Sequence, residues 1–170
     1  MRFLLSVLLG FFLFGCEARK DEKIQRTLTA KEQVAGLKKM CQKAASVMKK
    51  RQATNSLYNR LGGEENIRLF STKLYQLHRS NKKIGHFFKY ASEKKFVDNV
   101  TKFLVKNSGG GGEYSKNMET VHQSMNITHA DFLVAGGDVK QVMKEMGHGE
   151  NEIQEAVCFL TSFVPVVVKD

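Results

Sequence analysis

The sequence predicts an all-α fold. Apolar residues recur three and four apart through most of the chain, the spacing that gathers them on one face of a helix. No stretch shows the strict alternation that marks a half-buried strand. The breaks between the periodic stretches are polar or glycine-rich, and the single proline, Pro165, stands near the C-terminus, clear of nearly all of them.

The chain has 170 residues, of which 42% are hydrophobic, and a formal charge of +10. Residues 1–15 read as a signal peptide: the basic start Met1-Arg2, then an apolar run from Phe3 to Gly15. That run is shorter than the roughly 20 apolar residues a membrane span needs. Leu13-Phe14-Gly15-Cys16 resembles a bacterial lipoprotein cleavage box, which would make Cys16 the lipidated first residue of the mature, membrane-anchored protein. Glu17 in the next position favours the outer membrane, facing the periplasm. A plain secretory signal or an uncleaved anchor stays open.

The charge is unevenly placed. Residues 17–56 carry 11 Lys and Arg against 4 Asp and Glu, a net +7, whereas residues 57–170 carry 15 against 13, a net +2. The basic character therefore belongs to a leader. A basic chain invites a nucleic-acid reading, but export, and the lack of any zinc, RNP or helix-turn-helix spacing, argue against a nucleic-acid partner. Cys41 and Cys158 lie in a compartment that permits disulfides, and whether they pair depends on a distance that sequence does not carry.

Residues 16–55 divide into a charged tether and one helix. Thr29-Ala30-Lys31-Glu32 has the form of a capping box. Beyond it Val34, Leu37, Met40, Cys41, Ala44, Val47 and Met48 follow helical spacing, opposite Lys31, Lys38, Lys39, Lys43, Lys49, Lys50 and Arg51. Such a basic amphipathic helix can lie on anionic lipid, or pack one side on the domain and show the other to water. The second is favoured. Gln52 to Asn55 form a short connection.

Residues 56–170 form the folded domain. Ser56 caps a short helix that Gly62-Gly63 ends. Glu64 and Glu65 then open a helix to about Arg79, at its positive dipole end, with Ile67, Phe70, Leu74 and Leu77 as its buried stripe. Tyr75 departs from that stripe, and a phenol turned inward needs a hydrogen-bond partner. After the corner Ser80-Asn81-Lys82-Lys83 come Ile84, Phe87 and Phe88. The next helix, from about Ser92 to Lys106, gathers Phe96, Val100, Phe103 and Leu104, with Asn99 beside them. Ser108 and four glycines break the chain. Met118, His122 and Met125 then fall four and three apart, on one helical face. His122 is either an ordinary core or surface histidine or a single axial ligand to haem iron, with the methionines packed on the porphyrin.

A helix from about His129 to Glu145 turns Phe132, Val139 and Val142 or Met143 inward. Gly136-Gly137 inside it costs about 1 kcal/mol per glycine relative to alanine, which suggests close packing against another helix. Gly147-His148-Gly149 is a turn. The last helix, from about Glu150, buries Ile153, Val157, Leu160, Phe163 and Val164. Pro165 weakens or kinks it before the tail Val166-Val167-Val168. His78, His86, His129 and His148 read as solvated.

Several of these pieces recur together in one family. Ser56-Leu57-Tyr58-Asn59-Arg60-Leu61-Gly62-Gly63-Glu64-Glu65, Leu74-Tyr75, Phe87-Phe88, the glycine break before Tyr114-Ser115, Met118 with Val121-His122, then Ile127-Thr128 and Phe132 resemble the group I truncated haemoglobins. The resemblance covers residues 56–168. It implies a two-over-two helical globin fold, preceded here by the extra basic helix, around one b-type haem (iron) that fills the core. It implies His122 as the proximal ligand of a five-coordinate iron, with Phe88, Phe96, Val100, Met118 and Ile127 against the haem. It places Tyr75 on the distal side, donating to bound oxygen. The sequence departs from the family at Val100, where a glutamine is often seen, and leaves Asn99 as the nearby amide. No Cys-x-x-Cys-His occurs, so a covalently attached haem is not indicated.

The function so implied is reversible binding of oxygen or another diatomic ligand such as nitric oxide. Nitric oxide detoxification to nitrate would also need an electron-donor reductase, since nothing in the sequence reads as a flavin or nicotinamide site. A haem carrier or scavenger, and a membrane-tethered interaction module with a structural globin-like domain, are the alternatives.

Overall fold

The computed structural model describes residues 27–169. The signal peptide, the lipidation site Cys16 and most of the tether lie outside them. Helix α1 spans Ala30–Thr54 and opens on the capping box, with Thr29 accepting from the Glu32 amide and the Glu32 carboxylate accepting from the Thr29 amide at 2.8 Å. Such a cap stabilises a helix start by about 1 kcal/mol. Val34 is the residue α1 buries fully, while Met40 and Val47 are exposed. The helix lies along two later ones, α6 (His129–Glu145) and α7 (Glu150–Thr161). A Cys41–Cys158 disulfide, with Cα atoms 5.3 Å apart, ties α1 to α7.

Helix α2 (Leu57–Arg60) is capped by Ser56 and leads into α3 (Gly63–Ser80). Gly62 and Gly63 take φ of 85° and 78° at this turn, a left-handed conformation that side-chain-bearing residues avoid. Helix α4 (Glu93–Ser108) starts at the Ser92 cap and packs along α3. Small polar residues let these two axes approach: Thr101 and Ser71 are both fully buried, and the Thr101 hydroxyl lies 3.3 Å from that of Ser71. Val97, Thr101, Val105 and Ser108 of α4 are buried, Phe96 packs on Tyr75 of α3, and Phe96, Val100 and Leu104 also line the cavity described below.

Gly109, at φ 101°, closes α4. Gly110 gives room to the Tyr58 ring, which a Cβ there would strike. After the glycines come α5 (Met118–His122), α6, α7 and the short α8 (Val164–Val167). The pair α3–α4 and the pair α6–α7 are joined mainly through α3 and α6. Their shared core is Ile67, Phe70 and Leu74 against Val139, Val142, Met143, Ile153 and Val157. This is the two-over-two arrangement expected. Among the described residues there is no strand, only one parallel bridge between Ile127 and Val168, and no helix long and apolar enough to cross a membrane.

Three expectations are corrected. Gly136 and Gly137 do not mark close helix packing, since a Cβ on either would meet nothing within 4 Å. The last helix is two: α7 stops at Thr161, and Pro165 stands in the first turn of α8, where its missing N–H is not needed. His78 is not solvated. It is 6% exposed, between α3 and α6.

Candidate functional site

The two helix pairs meet along α3 and α6 and are apart elsewhere. Between them lies a cavity of about 870 Å³, within the range of small-molecule and cofactor sites. Its walls are largely apolar. Helix α3 and the 3₁₀ turn Gly85–Phe88 supply Phe70, Leu74, Phe87 and Phe88. From α4 come Phe96, Asn99, Val100 and Phe103; from the segment around α5 come Met118, Val121, His122, Met125 and Ile127. Phe132 and Gly136 of α6, with Phe159 of α7 and Phe163, close the far side. The open space beside Gly136 thus borders the cavity, which explains a glycine that packs on nothing.

Aromatic contacts hold two of these walls. Phe103, Phe159 and Phe163 pack with ring centroids 5.2–5.5 Å apart. On the opposite side Phe88 and Phe96 meet at 5.7 Å, with Tyr75 5.3 Å from Phe96. Such offset and edge-on pairs are worth about 0.5–1.5 kcal/mol each beyond their burial.

His122 is half-buried at the end of α5 and lines the cavity. Its Nδ1 lies 2.8 Å from the Met118 carbonyl oxygen. A carbonyl only accepts, so Nδ1 carries the proton and Nε2 keeps its lone pair. That is how a ligating imidazole is set: one nitrogen donates to a backbone carbonyl, and the other is free for a metal. A metal held by a single imidazole must bring its other ligands with it, as haem iron does. The apolar walls, the volume and a preset imidazole together fit haem.

The remaining sequence-predicted residues divide. Phe88, Phe96, Val100, Met118, Ile127 and Asn99 all line the cavity, and the Asn99 amide takes no hydrogen bond among the described residues. Tyr75 is 2% exposed, but its hydroxyl donates to the Ala91 carbonyl at 2.8 Å and accepts from Arg79 Nη1 at 2.9 Å. The cavity wall does not include it. Of the other histidines, His86 is exposed and rests on Phe87. His129 is half-buried at the start of α6. His148 reaches the cavity, and burial holds its pKa below the usual imidazole value against the pull of Glu152.

One residue on the wall was not anticipated. His78 Nδ1 lies 2.8 Å from the buried Asp138 carboxylate, and Asn81 Nδ2 donates to both oxygens of the same carboxylate at 2.9 and 3.1 Å. The His78 ring stacks on Phe88 at 5.1 Å and lines the cavity. Burial pushes its pKa below the usual value despite Asp138.

Comparison with known proteins agrees with this geometry. The group 1 truncated haemoglobin of Tetrahymena pyriformis is 28% identical over 102 residues, 59% of this chain and 84% of the relative. That of Tetrahymena thermophila is 24% identical over the same shares. The crystal structure of the T. pyriformis protein in its Fe(III) form superposes with a TM-score of 0.65 at 25% identity, covering 68% of this chain and all of that one. In fold, the chain also resembles the Synechococcus sp. 2/2 haemoglobin, with a TM-score of 0.59 at 21% identity over 66% of this chain and 94% of that one. The bacterial-like globin family matches residues 56–167, the whole stretch from the Ser56 cap through the cavity-forming helices to α8, and the chain belongs to that family as a truncated globin.

Proposed function

We propose that the chain is a group I-type haem globin that binds oxygen and other diatomic ligands, with His122 as the proximal ligand. The observation that carries this is the preset imidazole: His122 donates through Nδ1 to Met118 and keeps Nε2 free on the wall of an apolar cavity. Haem, when bound there, supplies the iron to which a diatomic molecule attaches.

The chain's own residues do the rest. Phe88, Phe96, Val100, Met118 and Ile127 exclude water and pack on the porphyrin. Lys116, exposed at the rim of the cavity, offers a cation to its carboxylates. Asn99 has an uncommitted amide on the wall, and Tyr75 lies one ring behind it, against Phe96. Conversion of nitric oxide and oxygen to nitrate stays within this reading and requires a separate electron-donor reductase.

Haemin titration of the purified protein tests the reading. A stoichiometric Soret band is expected, with haem retention lost or sharply reduced in His122→Ala and nearly unchanged in His86→Ala and His129→Ala. Equal retention in His122→Ala would remove His122 from the iron.

A further inference from the structure

Among the polar groups on the cavity wall, His78 has no part in the haem reading above. It is 6% exposed, and a histidine buried for packing alone would have both ring nitrogens satisfied. Here Nδ1–H donates to the Asp138 carboxylate, itself held by Asn81. Nε2 takes no hydrogen bond among the described residues, yet none of their fully buried side-chain nitrogens or oxygens is left unpartnered. Nε2 is therefore not fully enclosed, and the cavity is the space that His78 lines. The lone pair is fixed on Nε2 by the carboxylate, which also makes that nitrogen more basic.

This is the reverse of what a bound oxygen molecule needs. Oxygen calls for a donor, whereas His78 presents an acceptor. We infer that His78 is a base for protic ligands: weak acids HX, such as hydrogen sulfide, hydrogen peroxide or hydrogen cyanide, that bind ferric haem as anions. With ferric haem bound, the H–X bond would break as an N–H bond forms at His78 Nε2, leaving on X the electron pair that iron would accept. The imidazolium so formed is stabilised by Asp138 and later returns its proton to water. The inference rests on haem occupying the cavity.

The surroundings suit the role. The charged group against His78 is Asp138 of α6, and the 3₁₀ turn and α4 present only the rings of Phe88 and Phe96, 5.1 and 6.5 Å away. These are two of the residues proposed to touch the haem. Burial keeps the imidazole neutral near pH 7, the form that can take a proton.

Two measurements on the full chain decide it. The first needs no haem: imidazole nitrogen NMR should show His78 as the Nδ1–H tautomer, and an Nε2–H tautomer would overturn the inference while leaving the haem reading intact. The second uses cyanide with the ferric holoprotein and carbon monoxide with the ferrous one. A positioned base contributes about 100-fold or more when it touches the reacting proton, and less through a water. His78→Gln, which keeps volume and a donor to Asp138, should slow cyanide association by about 10- to 100-fold and abolish its pH dependence around the His78 titration. Asp138→Asn should slow it less. Carbon monoxide, which has no proton to give, should associate at the original rate in both. Unchanged cyanide rates, or equal slowing of both ligands, would make His78 merely structural. Failure to bind haem at all would sink the haem reading first, and with it this use of His78.

Discussion

Tyr75 has one proton to donate, and in this structure it goes to the Ala91 carbonyl while Arg79 donates to the same oxygen. To serve a ligand in the cavity the phenol must give up Ala91. Two costs therefore compete at one hydroxyl. A neutral hydrogen bond contributes about 0.5–1.5 kcal/mol and one to a charged group about 1.5–3. A ligand whose outer atom carries partial negative charge wins that exchange, and carbon monoxide does not. Tyr75→Phe, which deletes only the hydroxyl, is expected to lower stability by about 1–2 kcal/mol and to speed oxygen dissociation about tenfold. Carbon monoxide dissociation should change much less. Urea unfolding and stopped-flow displacement read the two effects separately. A loss of stability with an unchanged oxygen off-rate would confine Tyr75 to its bonds with Ala91 and Arg79. The sequence made Tyr75 legible as an inward phenol, because it breaks an otherwise apolar stripe. It did not show where the hydroxyl goes, because Ala91 lies 16 positions away across a corner. His78 was less legible still. It stands at a helix end beside a polar corner, where most histidines are solvated, and its partner Asp138 is 60 positions on.

Helices α3, α4 and α6 were readable because each has an apolar period and a clean stop, and α4 and α6 have side-chain caps as well. Ser92 and Thr128 cap with their hydroxyls, and α6 runs from His129 to Glu145 as its periodicity indicates. What periodicity hides is which neighbour a face meets. Gly136 looked like a contact between helices and instead borders the cavity, because the partner that explains it is not a helix. Helix α1 shows the same limit. Its capping box was plain, but its attachments are long-range: the disulfide to Cys158 and Arg51 to Glu155 at 2.7 Å, a carboxylate that Arg60 of α2 also holds. Glu155 is 7% exposed, and each of its two oxygens takes one guanidinium. Closing a loop across 117 positions restrains the unfolded chain by about 4–5 kcal/mol in the chain-entropy account. The double variant Cys41→Ser, Cys158→Ser should therefore lose about 3–5 kcal/mol in urea unfolding under non-reducing conditions. An unchanged midpoint would mean that α1 is held by Val34 and the ion pairs alone.

Across the whole molecule, charge is segregated: the +7 of residues 17–56 precedes a domain of net +2. Lys31, Lys39, Lys43, Lys49 and Lys50 of α1 remain exposed, the disposition that would suit a chain tethered near an anionic surface. We propose that Cys16 is that tether, so Cys16→Ala should shift the native protein from the membrane to the soluble fraction, and full solubility of the unaltered protein would count against it. The domain's own ionisable groups govern its response to acid. His78 and His148 both have pKa values lowered from 6.5, chiefly by burial. The unfolded chain therefore binds protons that the folded one refuses, and stability is complete above about pH 6.5 and declines as the pH falls below it. A second decline comes lower. Burial, the largest single influence, would raise the Glu152 pKa, but the hydrogen bonds from Arg60 and from a backbone amide, with the attraction of Arg60 and Arg51, together outweigh it and the pKa falls below 4.5. The stability contributed by ionised Glu152 is thus present above that value and lost beneath it. Melting temperature measured from pH 8 to pH 3.5 should accordingly hold level, fall in a first step beginning near pH 6.5, and fall again near pH 4. His78→Gln cannot take up a proton, so it should flatten the first step and leave the second in place. A first step of equal size in His78→Gln would mean that the acid response near pH 6 comes from elsewhere, with His148 the next imidazole to replace.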